Sequence, residues 1–470
     1  MGLNCRQLHD HLMLPLIPIV QAVGMRGIPI DTIKQQLFLS TLFDKRAELD
    51  ARLADFGITE PGKRRALGFQ LAKLGVPLRT TDSGEQYKTD LNIFGKLNHD
   101  YNGPAPEGEE PFPFLPLLIK RARTEKSIGN IASLRACDDG MLRTQLRVAG
   151  QSKDTGQGTR TGRYSSKGWG RKKQRAYCPS CCRWVEDGHG ANLQNISRGT
   201  EEEWLGFKIK ELFHPAPGWR LGELDYAGLE LWLNAYCIGC EKLLERLRDP
   251  SRDMHCEHAT IMFGRTITKA DKKERTLAKN VIYAWRGAGG AIAIQHALAK
   301  EDIHLDVDVI ERWISLFNAE YPEFPRWIEQ TDLSLSAQIK RKELRLIRNM
   351  FGRPRVLLGH GPLKEALATI ISGTAADGMS FVLTRLAQYH PDVYQYVAMQ
   401  VHDSFVVHAP AEKFDHCMKT VLQEMVRPWW GWDQVVQLKA EPSEAVAWTD
   451  KNGISHEPTW AHMEDWKEAA

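Results

Sequence analysis

Two apolar runs that each close on an aspartate constrain this chain more than any other feature. Leu224-Asp225-Tyr226-Ala227-Gly228-Leu229-Glu230-Leu231 and Gln400-Val401-His402-Asp403-Ser404 lie 178 positions apart, aspartate to aspartate. Each has the pattern of a strand that delivers one carboxylate to its exposed end, so a fold that uses both must set remote strands side by side. Taken singly, an Asp-Tyr reads as a strand-end cap and a His-Asp as a turn. Between them, Arg275, Lys279 and Tyr283 recur every four residues. At about 3.6 residues per turn that spacing keeps two cations and a ring on one slowly drifting helical stripe. Paired carboxylates suit two divalent cations and in-line phosphoryl displacement. The stripe suits a triphosphate: Arg275 to fork onto phosphate oxygens, Lys279 as a point charge and proton source at the leaving phosphates, Tyr283 to cover sugar and base.

A chain of 470 residues predicts two or three lobes, each with its own core. With 62 basic against 59 acidic residues the net charge is only +3, so affinity for a polyanion must rest on local clusters. Lys120-Arg121-Ala122-Arg123 with Lys126, Arg160 with Arg163, Arg171-Lys172-Lys173-Gln174-Arg175, Lys340-Arg341-Lys342, and Arg353 with Arg355 are such clusters, each equally readable as a solvated helix face. The apolar run Leu12–Val20 is too short and Pro-broken for the ~20 residues a bilayer needs. No secretory signal is evident, and nine cysteines without a regular framework suit a reducing compartment. The expectation is a soluble protein of the cytoplasm, bacterial or of an infected host, with no membrane partner.

Helical patterning runs from Leu12 to about Leu134, notably Lys34 to Leu53, and the alternation Leu142, Thr144, Leu146, Val148 predicts a strand. Gly150 to Gly170 reads as an exposed loop that binds a nucleic-acid backbone. Residues 233 to about 330 read as a helical lobe, a helix follows Gly373, and Tyr394–His408 reads as a hairpin around His402-Asp403.

In this order the motifs resemble the polymerase body of family A DNA polymerases, the group related to bacterial DNA polymerase I. Leu14-Pro15-Leu16-Ile17-Pro18 through Gly27-Ile28-Pro29-Ile30-Asp31 is similar to the entry to the thumb, and Thr161-Gly162-Arg163-Tyr164-Ser165-Ser166 to the family's Thr-Gly-Arg-Leu-Ser-Ser. Asn192-Leu193-Gln194-Asn195-Ile196 resembles its Asn-Leu-Gln-Asn-Ile, Asp225 to Glu230 its motif A, Arg275 to Tyr283 its motif B, and Gln400 to Asp403 its motif C. The resemblance implies an α+β right-hand fold with a palm built on an antiparallel sheet, helical fingers and a helical thumb. It implies a thumb and N-terminal helical region over 1–150, a first palm part over 151–232 with a Cys-rich insertion at about 167–191, fingers over 233–330 and a second palm part over 331–470. Asp225 and Asp403 would hold two Mg²⁺ ions, with His255, Arg275, Lys279 and Tyr283 on the deoxynucleoside triphosphate. Glu230 would sit beneath the sugar, excluding a ribose 2′-hydroxyl, and Tyr283 implies acceptance of dideoxynucleotides. Arg163, Gln194, Asn195 and His402 would contact primer-template DNA, the amides reading the minor groove by shape.

The chain departs from the family at several points. The family's ring four residues after the Tyr283 position falls on Gly287, or on Arg286 with a one-residue deletion; Ser404 replaces a Glu, Ser372 a Gln and Trp232 an Arg. The insertion holds Cys178 and Cys181 at the Cys-x-x-Cys spacing of a zinc site, to which Cys182 or His189 could add; no further ligand is obvious, since Cys237 and Cys240 read as helix core. No Asp-x-Glu signature of the proofreading exonuclease occurs, so editing is expected from a separate exonuclease, as for a stand-alone body of phage type. Helicase and primase are further conceivable partners. The expected activity is template-directed DNA synthesis; a low-fidelity gap-filling or translesion enzyme, and a non-catalytic DNA-binding accessory, are the alternatives.

Overall fold

The computed structural model describes residues 4–81, 84, 86–103, 108–148, 163–169, 175–195, 209–249, 251–299, 303–357, 362–429, 440–449 and 455–462, with the backbone alone at residues 92, 195, 440–449 and 455–462. Arg160, Thr161, Gly162, Arg171 to Gln174 and Ile196, singled out above, lie outside the described residues.

The β-branched and aromatic run Phe405-Val406-Val407 forms the strand Ser404–Pro410, which pairs antiparallel with Val397–Val401 through the turn His402-Asp403. Its other edge pairs with Trp219–Tyr226, Ser404 opposite Asp225 and Val407 opposite Gly222. Ala440–Thr449 and Ser455–His462 complete a five-stranded antiparallel sheet in the order Val397–Val401, Ser404–Pro410, Trp219–Tyr226, Ala440–Thr449, Ser455–His462. The helix Ala411–Val426 covers the face that carries Gly222 and Leu224. A Cβ at Gly222 would stand 2.7 Å from Phe414 Cζ and 2.8 Å from Met418 Cε, so only glycine admits the helix this closely.

Behind the sheet runs the helix Pro362–Tyr389, which starts earlier than the expected position after Gly373, at a proline suited to a first helical turn. It is long and apolar enough to cross a membrane, yet 78% of its most apolar window is buried, and Val382, Leu383 and Leu386 belong to the core. The segment expected as a helical lobe forms Leu229–Ile238, Glu241–Arg248, Met254–Phe263, Lys272–Arg286, Ala291–Ala299, Val307–Glu320 and Glu323–Lys340. These helices do not bury a core of their own: Trp285, Trp313, Phe317 and Phe324 join the same contiguous cluster as Leu224 and Phe405 of the sheet. Among the described residues, the N-terminal helices Thr32–Ala54, Arg64–Lys73, Leu91–Leu97 and Leu115–Ala132 enclose a second sizeable core, around Leu53, Ile58, Leu71, Phe94, Leu115 and Leu118.

The strand expected over Met141–Val148 is two. Met141–Leu142 pairs with Ile28–Pro29, and Gln145–Arg147 with Ser165–Lys167. At the break Thr144 donates its N–H to Gly24 O at 3.0 Å and its hydroxyl to Ala191 O at 2.7 Å, so the chain changes partner there. Ser165–Lys167, read as part of a loop, is therefore strand; residues 149–162 and 170 lie outside the described residues.

Candidate active site

Asp225 sits opposite Ser404, and the next amide, Tyr226 N–H, donates to Asp403 O at 3.1 Å. Antiparallel partners approach to about 5 Å between Cα atoms, so the two aspartates stand at one end of the sheet, a residue apart in register. Both are half-buried. Hard carboxylate oxygens from a strand and from the turn beside it are a donor set suited to Mg²⁺. The turn that presents Asp403 is held in an unusual way: His402 has φ of 53°, in the left-handed region. Its N–H donates to Gln194 Oε1 at 3.1 Å, and the Gln194 amide nitrogen donates to Gln400 O. Ser404 stands where a glutamate was expected, but its hydroxyl donates to Glu223 Oε1 at 2.9 Å and Lys210 donates to the other oxygen. A carboxylate is thus present beside position 404, supplied by the adjacent strand. A cleft of about 110 Å³ opens on this face between Lys210, Glu223, Val401, His402 and Ser404.

Gly228 has φ of +69°, which lets the strand turn into the helix Leu229–Ile238 within two residues and puts Glu230 in its first turn. Glu230 Oε1 accepts from Ser372 at 2.7 Å and from Arg163. Arg163, expected on the DNA minor groove, is therefore ion-paired to the residue expected beneath the sugar.

The helix Lys272–Arg286 buries Ala278, Val281, Ile282 and Trp285 and turns Lys279 and Tyr283 outward, with Arg275 half-buried. Arg275 forks onto Asp253, with Nη2 to Oδ2 at 2.8 Å and Nε at 3.1 Å. Asp253 also caps the helix Met254–Phe263 by accepting from the amides of His255 and Cys256 at 3.0 and 3.1 Å. Burial opposes the Asp253 charge, but Arg275 and the cap amides outweigh it and hold its pKa below the usual carboxylate value. Among the described residues Lys279 pairs with no carboxylate. The His255 ring lies 6.5 Å from that of Tyr283. Burial first, and then Lys279 and Arg275, push its pKa down to about 4, so it is neutral at pH 7, with Nδ1 buried and unpartnered.

Arg286 was not singled out as a functional residue. It is buried, its guanidinium lies 4.4 Å from the Tyr283 ring centroid, and among the described residues Nε and Nη1 have no hydrogen-bond partner. Burial lowers its pKa despite the nearby Glu230 charge. The helix ends at Arg286 with Gly287 as its cap, so no ring stands at the place where the family pattern has one.

Gln194, expected on the duplex, is 4% exposed and its amide is taken up by the turn; Asn195 ends the same short 3₁₀ turn, Leu193–Asn195. The cysteines regroup. Cys178, Cys181 and His189 come together with Cys137, while Cys182 is exposed and donates to Pro179 O at 3.4 Å. Cys240 is buried in the core and Cys237 packs against it, as core cysteines do.

The family model described as DNA polymerase family A matches residues 189–450. DNA polymerase I of Chloroflexus aurantiacus is 29% identical over 277 residues, 56% of this chain and 27% of that protein. The thermostable DNA polymerase I of Thermus aquaticus is 29% identical over 231 residues, 47% of this chain and 26% of that protein. The DNA polymerase I of Caldicellulosiruptor bescii is 22% identical over 436 residues, 90% of this chain and 45% of that protein. The chain thus spans between about a quarter and a half of these curated relatives. Among solved structures, the POL domain of Pol1 from M. smegmatis, in complex with DNA primer-template and dNTP, superposes with a TM-score of 0.71 at 18% identity, over 96% of this chain and 70% of that one.

Proposed function

Because this chain belongs to DNA polymerase family A, we propose that it extends a primer 3′ end on a DNA template with deoxynucleoside triphosphates. The observation that carries this is the strand register that sets Asp225 and Asp403 side by side at the sheet's end. In this reading the sheet is the palm, drawn from 151–232 and 331–470, residues 233–330 are the fingers, and 1–150 hold the thumb. Asp225 and Asp403 are the residues to hold two Mg²⁺ ions, which when bound activate the primer hydroxyl and neutralise the departing pyrophosphate. Lys279, exposed on the stripe, meets the leaving phosphates and can give them a proton. Arg275 forks onto phosphate oxygens by exchanging or sharing its bond to Asp253, and neutral His255 donates without adding charge. Tyr283 covers sugar and base, and Glu230, fixed by Ser372 and Arg163, blocks a 2′-hydroxyl. Residues Arg163, Asn195 and His402 border the duplex.

One observation favours a second reading with the same chemistry. Arg286 and Gly287 stand where the family has a ring, which supports looser placement of the templating base and so gap filling or lesion bypass.

Primer extension with wild type, Asp225→Asn and Asp403→Asn tests the proposal. Loss of a metal ligand removes several kcal/mol of transition-state stabilisation, on the order of 10³-fold in rate, while DNA affinity by fluorescence anisotropy stays within a few-fold. Wild-type protein that binds primer-template yet incorporates nothing would instead mark a non-catalytic accessory. Misincorporation and abasic-site assays separate the two enzymatic readings.

A further inference from the structure

We propose that Cys137, Cys178, Cys181 and His189 form a structural zinc site that joins the Cys-rich insertion to the turn after the helix Leu115–Ala132. Their ligand atoms lie within 4.8 Å of one another. Zn–S bonds of about 2.3 Å in a tetrahedron set sulfurs roughly 3.8 Å apart. The Cys137 and Cys178 sulfurs are 3.8 Å apart, and Cys181 Sγ is 3.3 Å from His189 Nδ1. None of the nine cysteines is in a disulfide. Three thiolates and an imidazole select zinc over hard cations. Arg143 and Arg183 stand near the cluster, each forked onto a neighbouring carboxylate, Asp139 at 2.6 and 2.8 Å and Asp138 at 2.6 and 2.8 Å. The Asp138 N–H points at Cys181 Sγ at 3.5 Å, an outer contact of the kind that fixes thiolate ligands.

A second observation points the same way. Cys178 and Cys181 bracket the turn of the hairpin Ala176–Cys178 and Arg183–Val185, whose buried cluster among the described residues is Cys137, Cys178 and Val185, with Cys181 packed against it. Two three-residue strands are marginal on their own. With two of three core residues being thiols, a metal supplies the cohesion that apolar burial does not. The sequence pattern offered Cys182 as a ligand, but the backbone at Cys182 is left-handed, φ 52°, and carries its thiol out to solvent. Cys137 arrives instead from 41 residues before Cys178, where Gly190 N–H donates to Arg135 O at 2.7 Å and brings His189 alongside. This inference does not rest on the polymerase reading.

Metal analysis of the purified full chain by inductively coupled plasma mass spectrometry is expected to give about one zinc per molecule. Cys137→Ser is expected to fall below about half, and Cys182→Ser to keep the full equivalent. Cobalt added to metal-stripped wild type is expected to give thiolate-to-metal charge transfer and tetrahedral d–d bands, a readout that does not depend on any variant folding. The proposal is overturned by wild type that neither carries zinc nor takes it up against a chromophoric chelator, or by octahedral-type cobalt spectra. Equal zinc loss in both variants, or a Cys137–Cys178 disulfide in non-reducing peptide mapping, would overturn it too.

Discussion

At the scale of single residues the arrangement around Glu230 is the most informative. Its carboxylate is fixed at both sides, by the Ser372 hydroxyl at 2.7 Å and by Arg163, and its side chain is 26% exposed. A carboxylate held this firmly can act as a wall, since it cannot rotate aside for a 2′-hydroxyl without breaking two polar contacts. Glu230→Ala removes the wall and breaks the ion pair to Arg163. The expected result is a rise of roughly ten-fold in ribonucleotide over deoxynucleotide incorporation, measured in single-nucleotide extension. Ser372→Ala loses one hydrogen bond and keeps the wall, so its sugar preference moves much less. Equal sugar discrimination in wild type and Glu230→Ala would remove this role. The family resemblance pointed to Glu230 but not to the contacts that fix it, because Arg163 and Ser372 lie 67 and 142 positions away and no local pattern joins them to it.

At the scale of elements, the hairpin that ends in Asp403 depends on Gln194. That side chain was read as a reader of the minor groove. Its carbonyl accepts from His402 and its amide nitrogen donates to Gln400 O, and it is buried. Gln194→Ala leaves a left-handed His402 and two backbone groups without partners, a cost of about 1–3 kcal/mol. We expect a lower melting temperature by calorimetry and a primer-extension rate that falls further than DNA affinity does. A loss confined to DNA affinity, with stability unchanged, would return Gln194 to the groove. The elements themselves were largely legible: alternation and β-branched runs marked the hairpin, and the four-residue recurrence marked the helix of Arg275, Lys279 and Tyr283. What was not legible depended on contacts between distant segments. Met141–Val148 alternates as one strand, but its two halves find different partners. Cys137 stands alone in sequence, with no Cys-x-x-Cys neighbour to mark it, and only the fold brings it to Cys178 and His189. Nothing in the sequence singles out Glu223; the fold sets Ser404 against it across 181 positions. Arg286 enters the sequence reading only as one possible place of the missing ring, and the fold buries it over Tyr283.

For the molecule as a whole, the single core shared by the sheet and the helices of 229–324 encloses histidines that it keeps neutral. Burial pushes the pKa of His255 down to about 4, of His258 to about 3 and of His408 to about 4. His408 shows why the neutral form is required: its Nε2 accepts the Ala216 N–H at 3.2 Å, which a protonated ring cannot do, and its ring lies 4.7 Å from Trp219. An unfolded histidine titrates near 6.5, so between that pH and about 4 the unfolded chain binds protons that the folded one refuses. Stability therefore rises with pH through this window, is complete above it, and is lost as pH falls, by on the order of 1–3 kcal/mol per ring at the acid end. The carboxylates of Asp253, Glu320 and Glu424 also lie below their usual range, each because cationic partners outweigh burial, so they add loss of the same sign at lower pH. Thermal unfolding is expected to be nearly level from pH 8 to 7 and to drop steadily from pH 6.5 towards 4.5. His408→Gln keeps an acceptor for Ala216 without a titrating ring, so it should flatten part of that slope while leaving the melting temperature at pH 8 within a few degrees. A melting temperature independent of pH from 7 to 4.5, or an unaltered slope in His408→Gln, would show that these rings are already solvated in the folded chain.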